Sequence, residues 1–92
     1  MAVKTISSNA TTQVKLGGGK IWNIIVSDPG TAWVLAVKDG PDPSGNFQTL
    51  INAAKISAGQ PFLDAANPVS FRDGLQVVTS GTTAGELDFQ FD

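Results

Sequence analysis

The stretch that decides the fold reads Lys20-Ile-Trp-Asn-Ile-Ile-Val-Ser-Asp28, then Pro29-Gly30, then Thr31-Ala-Trp-Val-Leu-Ala-Val-Lys38. In its first half Trp22, Ile24 and Val26 alternate with Ile21, Asn23, Ile25 and Ser27, which predicts a strand with one fully apolar face and one mixed face. In its second half Trp33, Leu35 and Val37 alternate with Ala32, Val34 and Ala36, again at the period of a strand. Asp28-Pro29-Gly30 has turn chemistry, because Pro presets φ and Gly accepts a positive one. So short a link predicts an antiparallel hairpin.

Working outward, Glu86-Leu-Asp-Phe-Gln-Phe-Asp92 is the cleanest alternation in the chain, with Leu87, Phe89 and Phe91 facing inward. Thr12–Leu16, Val69–Phe71 and Leu75–Ser80 read as further strands. Phe47–Ile56 fits a helical spacing through Phe47, Leu50, Ile51 and Ala54, and a strand spacing through Phe47, Thr49, Ile51 and Ala53. Its strand neighbours tip the expectation to a strand. Phe62-Leu63 opens a short strand that Asn67-Pro68 interrupts. Ser57–Pro61, Asp73-Gly74 and Gly81–Gly85 are turns, and so is Gly17-Gly18-Gly19, which lacks both the spacing of a phosphate loop and a helix after it. About seven or eight short strands, no helix and no repeat predict an all-β antiparallel β-sandwich or jelly roll. Residues 1–16, rich in Thr, Ser and Asn, read as a polar N-terminal arm or edge strand, and residues 17–92 as a single β-sandwich domain. Ninety-two residues leave room for no second one.

The absent residue types narrow the chemistry. There is no Cys, no His and no Tyr. A disulfide framework, a thiolate nucleophile, a Cys-ligated zinc and the Ser-His-Asp arrangement are therefore all excluded within one chain. No cofactor and no enzymatic activity are expected. Six basic against eight acidic residues argue against a nucleic-acid partner. No stretch approaches the ~18 apolar residues of a membrane span, and the start lacks the layout of a signal peptide, so folding in the cytoplasm is expected. Charged residues make up only 15%, against about 25% in ordinary soluble domains, so the surface is short of charge. A small chain without staples is expected to gain buried area by self-association.

Four features carry alternative readings. Asp39, Asp42, Ser44 and Asn46 place oxygens in one loop that could collect calcium, although no EF-hand spacing or closing Glu accompanies them. Glu86, Asp88 and Asp92 line one face of the last strand, either as a carboxylate pair for glycoside chemistry or as charges that guard an edge strand. Trp22 and Trp33, on the paired strands of the hairpin, are either core or a sugar-stacking platform. Residues 1–55 carry a net charge of +2, from five Lys against three Asp. Residues 56–92 carry −4, from one Arg against five acids. Opposed patches of this kind steer one copy onto another or onto a charged shell, or else mark a solvated terminal strand. Asn9-Ala10-Thr11 matches a glycosylation acceptor, which has no meaning for a cytoplasmic chain.

Ile21-Trp-Asn-Ile-Ile-Val with Asp28-Pro-Gly-Thr31, the strand ending Lys38-Asp-Gly40, Pro68-Val-Ser-Phe71 leading to Asp73-Gly-Leu75, and Ser80-Gly-Thr82 before the final strand resemble small virion proteins of tailed bacteriophages. The resemblance spans about residues 20–92 and consists of strand and turn punctuation. It implies a compact β-sandwich on the capsid exterior, acting as a decoration or cement protein bound to the major capsid protein, commonly as a homotrimer. It carries over no catalytic residue. It implies an N-terminal arm that holds the shell or a neighbouring subunit, which makes Val3, Lys4, Ile6, Lys15 and Lys20 the expected contacts. A tail, baseplate or head-fibre module, or a carbohydrate-binding module using Trp22 and Trp33, are the alternatives.

Overall fold

The computed structural model describes residues 2–53, 56 and 69–92. The expected Ser57–Pro61 turn, the Phe62-Leu63 strand and its Asn67-Pro68 break lie outside them. The described residues form eight strands: β1 (Ala2–Ile6), β2 (Thr11–Leu16), β3 (Gly19–Asp28), β4 (Val34–Asp39), β5 (Gln48–Ala53), β6 (Val69–Phe71), β7 (Gly74–Ser80) and β8 (Glu86–Phe91). They make two four-stranded antiparallel sheets, in the orders β1-β8-β3-β6 and β2-β7-β4-β5. The first strand pairs with the last, the second with the seventh, the third with the sixth and the fourth with the fifth. A single long ribbon rolled up in this way is a jelly roll, one of the two architectures the strand spacing predicts.

The expected hairpin across Asp28-Pro29-Gly30 does not form. β3 pairs with β8 and β6 in one sheet, while β4 pairs with β7 and β5 in the other. The turn carries the chain between layers instead. Gly30 N–H donates to the Asp28 carboxylate at 2.9 Å, and Gly30 and Ala32 both adopt a left-handed φ, of 63° and 48°. For Ala32 that conformation costs about 1 kcal/mol or more, offset by what it positions: Trp33 next to it is buried in the core. Thr31 bridges to Thr83, which fastens this crossing to the one before β8. A strand whose two edges both find partners elsewhere has no edge left for its sequence neighbour, and β3 and β4 are both such strands.

The core lies between the sheets. Ile21, Ile24, Leu87 and Phe89 from one sheet meet Leu35, Val37, Leu75 and Val77 from the other, all essentially inaccessible, with Trp33 among them. In β4 and β8 the observed inner faces are those that alternation predicts. In β3 they are not. The register slips between Ile21 and Asn23, where two steps along β3 match one step from Phe91 to Gln90. This bulge lets Ile21 join Ile24 and Val26 inside and leaves Trp22 on the outside.

The corner between β1 and β2 is pinned by side chains. Buried Trp33 donates its indole N–H to Asn9 Oδ1 at 2.8 Å, and Asn9 Nδ2 donates to the Gly81 carbonyl at 3.0 Å. The Thr79 hydroxyl, the one buried polar side chain among the described residues, donates to the Ser8 carbonyl at 2.7 Å. Residues 2–16 are therefore built into the sandwich, as one edge strand of each sheet. Replacing Asn9 with Ala leaves the indole N–H buried without an acceptor, and should lower unfolding free energy by about 1–3 kcal/mol in urea titrations, with an unchanged slope.

Candidate functional site

Three regions hold the residues singled out above. The first is the loop that joins β4 to β5, beside the β6–β7 corner. Asp39, at the end of β4, accepts three backbone N–H bonds from that corner: Arg72 at 2.9 Å, Asp73 at 2.8 Å and Gly74 at 3.3 Å. Within the loop the Asp42 carboxylate accepts the N–H groups of Ser44 and Asn46 at 2.8 and 2.9 Å. Both carboxylates thus face donors, and Ser44 and Asn46 meet Asp42 through nitrogen rather than oxygen. Calcium asks for about six to eight oxygens turned inward, so these residues do not fit it. Among the described residues no cluster of three acidic side chains converges.

An open cleft of ≈ 140 Å³ lies here, lined by Asp39, Asp42, Asn46, Phe47 and Arg72 among others. Small-molecule sites run to about 300–1,000 Å³, so this one is undersized. The Arg72–Asp73 ion pair at its rim is long, at 3.8 Å, with the Arg72 side chain 89% exposed, and such pairs contribute little.

The Asp39 carboxyl is desolvated, which alone would raise its pKa. The backbone donors of Asp73, Arg72 and Gly74, together with the Arg72 charge, outweigh this and hold it below the ordinary carboxylate value. A carboxyl depressed on folding adds stability that is complete above its unfolded value of about 3.9, and that is lost as pH falls through the lower folded value. Asp39→Ala should therefore lower stability at pH 7 by about 1–3 kcal/mol and flatten the loss of stability below about pH 4, read from denaturant midpoints against pH.

The second region is the outer face of the β1-β8-β3-β6 sheet. β8 is a central strand, so Glu86, Asp88 and Asp92 do not guard an edge. Asp88 accepts the Thr5 hydroxyl at 2.6 Å, and Asp92 accepts the Trp22 indole N–H at 2.6 Å. Lys20 Nζ lies 5.7 Å from the centre of the Trp22 ring. Trp22 and Trp33 do not form a platform. Trp22 is half-buried on this outer face, whereas Trp33 is 1% exposed between the sheets. Nor, among the described residues, do the two charge balances form separate patches, since β8 is interleaved between β1 and β3.

The third region is the set of sheet edges. Lys4 stands opposite Phe89, on the core side of edge strand β1. Lys15 stands opposite Leu75 in edge strand β2, beside a register shift. Its ammonium group donates to the Gly18 carbonyl at 2.9 Å and lies 5.8 Å from the Phe71 ring. β6 has three residues, and β5 has a register shift against β4. Inward charges, bulges and short length are the devices that keep a strand from being added to an edge. Of the expected contacts, Val3 and Lys20 are exposed on the outer face, and Lys4 and Lys15 occupy these guarded edges. Ile6, 4% exposed, belongs to the core and is unavailable.

No family model, no curated protein and no solved structure matches the chain. With Trp33 removed as Trp33→Phe, acrylamide should quench the remaining Trp22 readily, whereas in Trp22→Phe the remaining Trp33 should be protected. Equal quenching would contradict the opposite placement of the two indoles.

Proposed function

We propose that this chain is a structural virion protein of a tailed phage, a decoration or cement protein that binds the outer surface of the capsid and stabilises the shell. Its partner is the major capsid protein, and it joins the virion in the host cytoplasm. The observation that carries the reading is how the acidic side chains are used. Asp28, Asp39, Asp42, Asp88 and Asp92 all accept hydrogen bonds from the chain's own N–H or O–H groups. In a chain without His, Cys or Tyr, that use favours a scaffold over a reacting group, and a protein that acts through its surface. The jelly roll and the low charge suit standing on a shell, and the strand and turn punctuation resembles that of phage virion proteins.

The test is co-sedimentation with purified heads of the encoding phage that lack this protein. Binding should saturate at a fixed ratio to the capsid subunit and raise the temperature at which the heads break open. Heads that bind none of it, or bind it without a gain in thermal resistance, would overturn the proposal.

A further inference from the structure

The loop between β4 and β5 and the β6–β7 corner are tied to each other by backbone bonds. Asp39 holds the N–H groups of Arg72, Asp73 and Gly74, and Gly40 N–H donates to the Gly74 carbonyl at 3.1 Å. Asp42 N–H donates to the Asn46 carbonyl at 2.9 Å, and Asp42 Oδ1 accepts the N–H groups of Ser44 and Asn46, which closes the loop on itself. A Cβ on Gly40 would lie 2.8 Å from Phe47 Cδ1, so the Phe47 ring sits against that glycine. The backbone around the ≈ 140 Å³ cleft is therefore set before anything binds. The unused groups that line it are of mixed kind. Among the described residues Asp42 Oδ2, the amides of Asn46 and Gln48 and the terminal nitrogens of Arg72 make no hydrogen bond within the chain. Phe47, the one apolar side chain in the lining, is 42% exposed.

We propose that this cleft binds one neutral sugar ring at the end of a glycan, with Phe47 against the ring and Asp42, Asn46, Gln48 and Arg72 on its hydroxyls. The ligand class follows from the lining. Asp39, Asp42 and Asp73 surround Arg72 with carboxylates, which repel an anion. A cation would find both Asp39 oxygens already taken by N–H groups. It would also face the N–H groups of Arg72, Asn46 and Gln48 with no acceptor to offer them. An apolar ligand would cover the same groups and leave them unpaired. Hydroxyls both donate and accept, so a polyol satisfies carboxylate, amides and guanidinium together, while the C–H face of a pyranose covers an aromatic ring. The cleft is too small to enclose a drug-sized ligand, but a terminal sugar is held by one face and part of its rim. So few contacts set the dissociation constant on the order of millimolar. The site takes the place of the Trp22–Trp33 platform that the fold dismantles, and it does not depend on the role proposed at a capsid.

Amide proton–nitrogen NMR spectra of the whole chain, titrated with D-glucose, D-galactose, D-mannose and N-acetyl-D-glucosamine, should show saturable shifts with at least one of these sugars. The shifts should centre on Asn46, Phe47, Gln48, Arg72 and Asp73. For that sugar Arg72→Ala, which trims a side chain 89% exposed, should raise Kd at least tenfold and leave the rest of the spectrum in place. Phe47→Leu should do the same, and Arg72→Ala decides alone if Phe47→Leu loses the wild-type dispersion. No saturable shift with any of these sugars, shifts centred on Trp22 instead, or affinity unchanged in Arg72→Ala would overturn the proposal. So would tighter binding of sulfate or of N-acetyl-arginine amide at the same amides.

Discussion

The fold depends on β8 lying between β1 and β3. Its inner side chains, Leu87, Phe89 and Phe91, stand opposite Val26, Ile24 and Ile21 of β3, and opposite Ile6, Lys4 and Ala2 of β1. One short segment at the end of the described chain thus supplies ladder hydrogen bonds to two segments from its beginning. It also supplies a large share of the buried apolar area that outweighs chain entropy. Without it, β1 has no partner and β3 has only the three residues of β6. β7 does the same for the second sheet, between β2 and β4. The two central strands hold a ribbon whose paired segments lie far apart in the chain.

Around that core the polar side chains are spent mostly on corners. Asn9 ties the β1–β2 corner to Trp33 and Gly81, Thr79 ties it to β7, and Asp39 gathers the three N–H groups of the β6–β7 corner. Gln13 donates to the carbonyls of Lys15 and Gly40, both at 2.9 Å, and so links edge strand β2 to the loop after β4. Each of these groups would cost more if left unpaired than it contributes when paired, so they specify the crossings between layers more than they add stability. Among the described residues Glu86 and Asp88 lie on the outer side of β8, whereas Asp39, Asp42 and Asp73 sit at the β4–β5 and β6–β7 corners.

Alternation in Thr31–Lys38 and Glu86–Asp92 was sufficient to place Leu35, Val37, Leu87, Phe89 and Phe91 inside. A side chain's face follows from the backbone period whatever the partner strand is. The same rule misplaced Trp22, because a bulge is set by the register of β8 against β3 and leaves no mark on β3 alone. Likewise no local signal marks Asn9 as the acceptor for a tryptophan 24 residues away. The need of Trp33 for some acceptor was legible, but its identity was not.

Class, strand count and the absence of thiol or imidazole chemistry were determined by the amino-acid sequence itself, since backbone periodicity and residue chemistry are local properties. The partner of each strand was decided only in three dimensions. Pro29-Gly30 reads equally as a hairpin turn or as a crossing, and the choice fell to β5, β6, β7 and β8, which satisfy both edges of β3 and β4. Which carboxylates remain on a face and which are consumed by corner N–H groups was settled in the same way. Hydrogen-bond partners come from distant segments, and only the assembled layers bring them within reach.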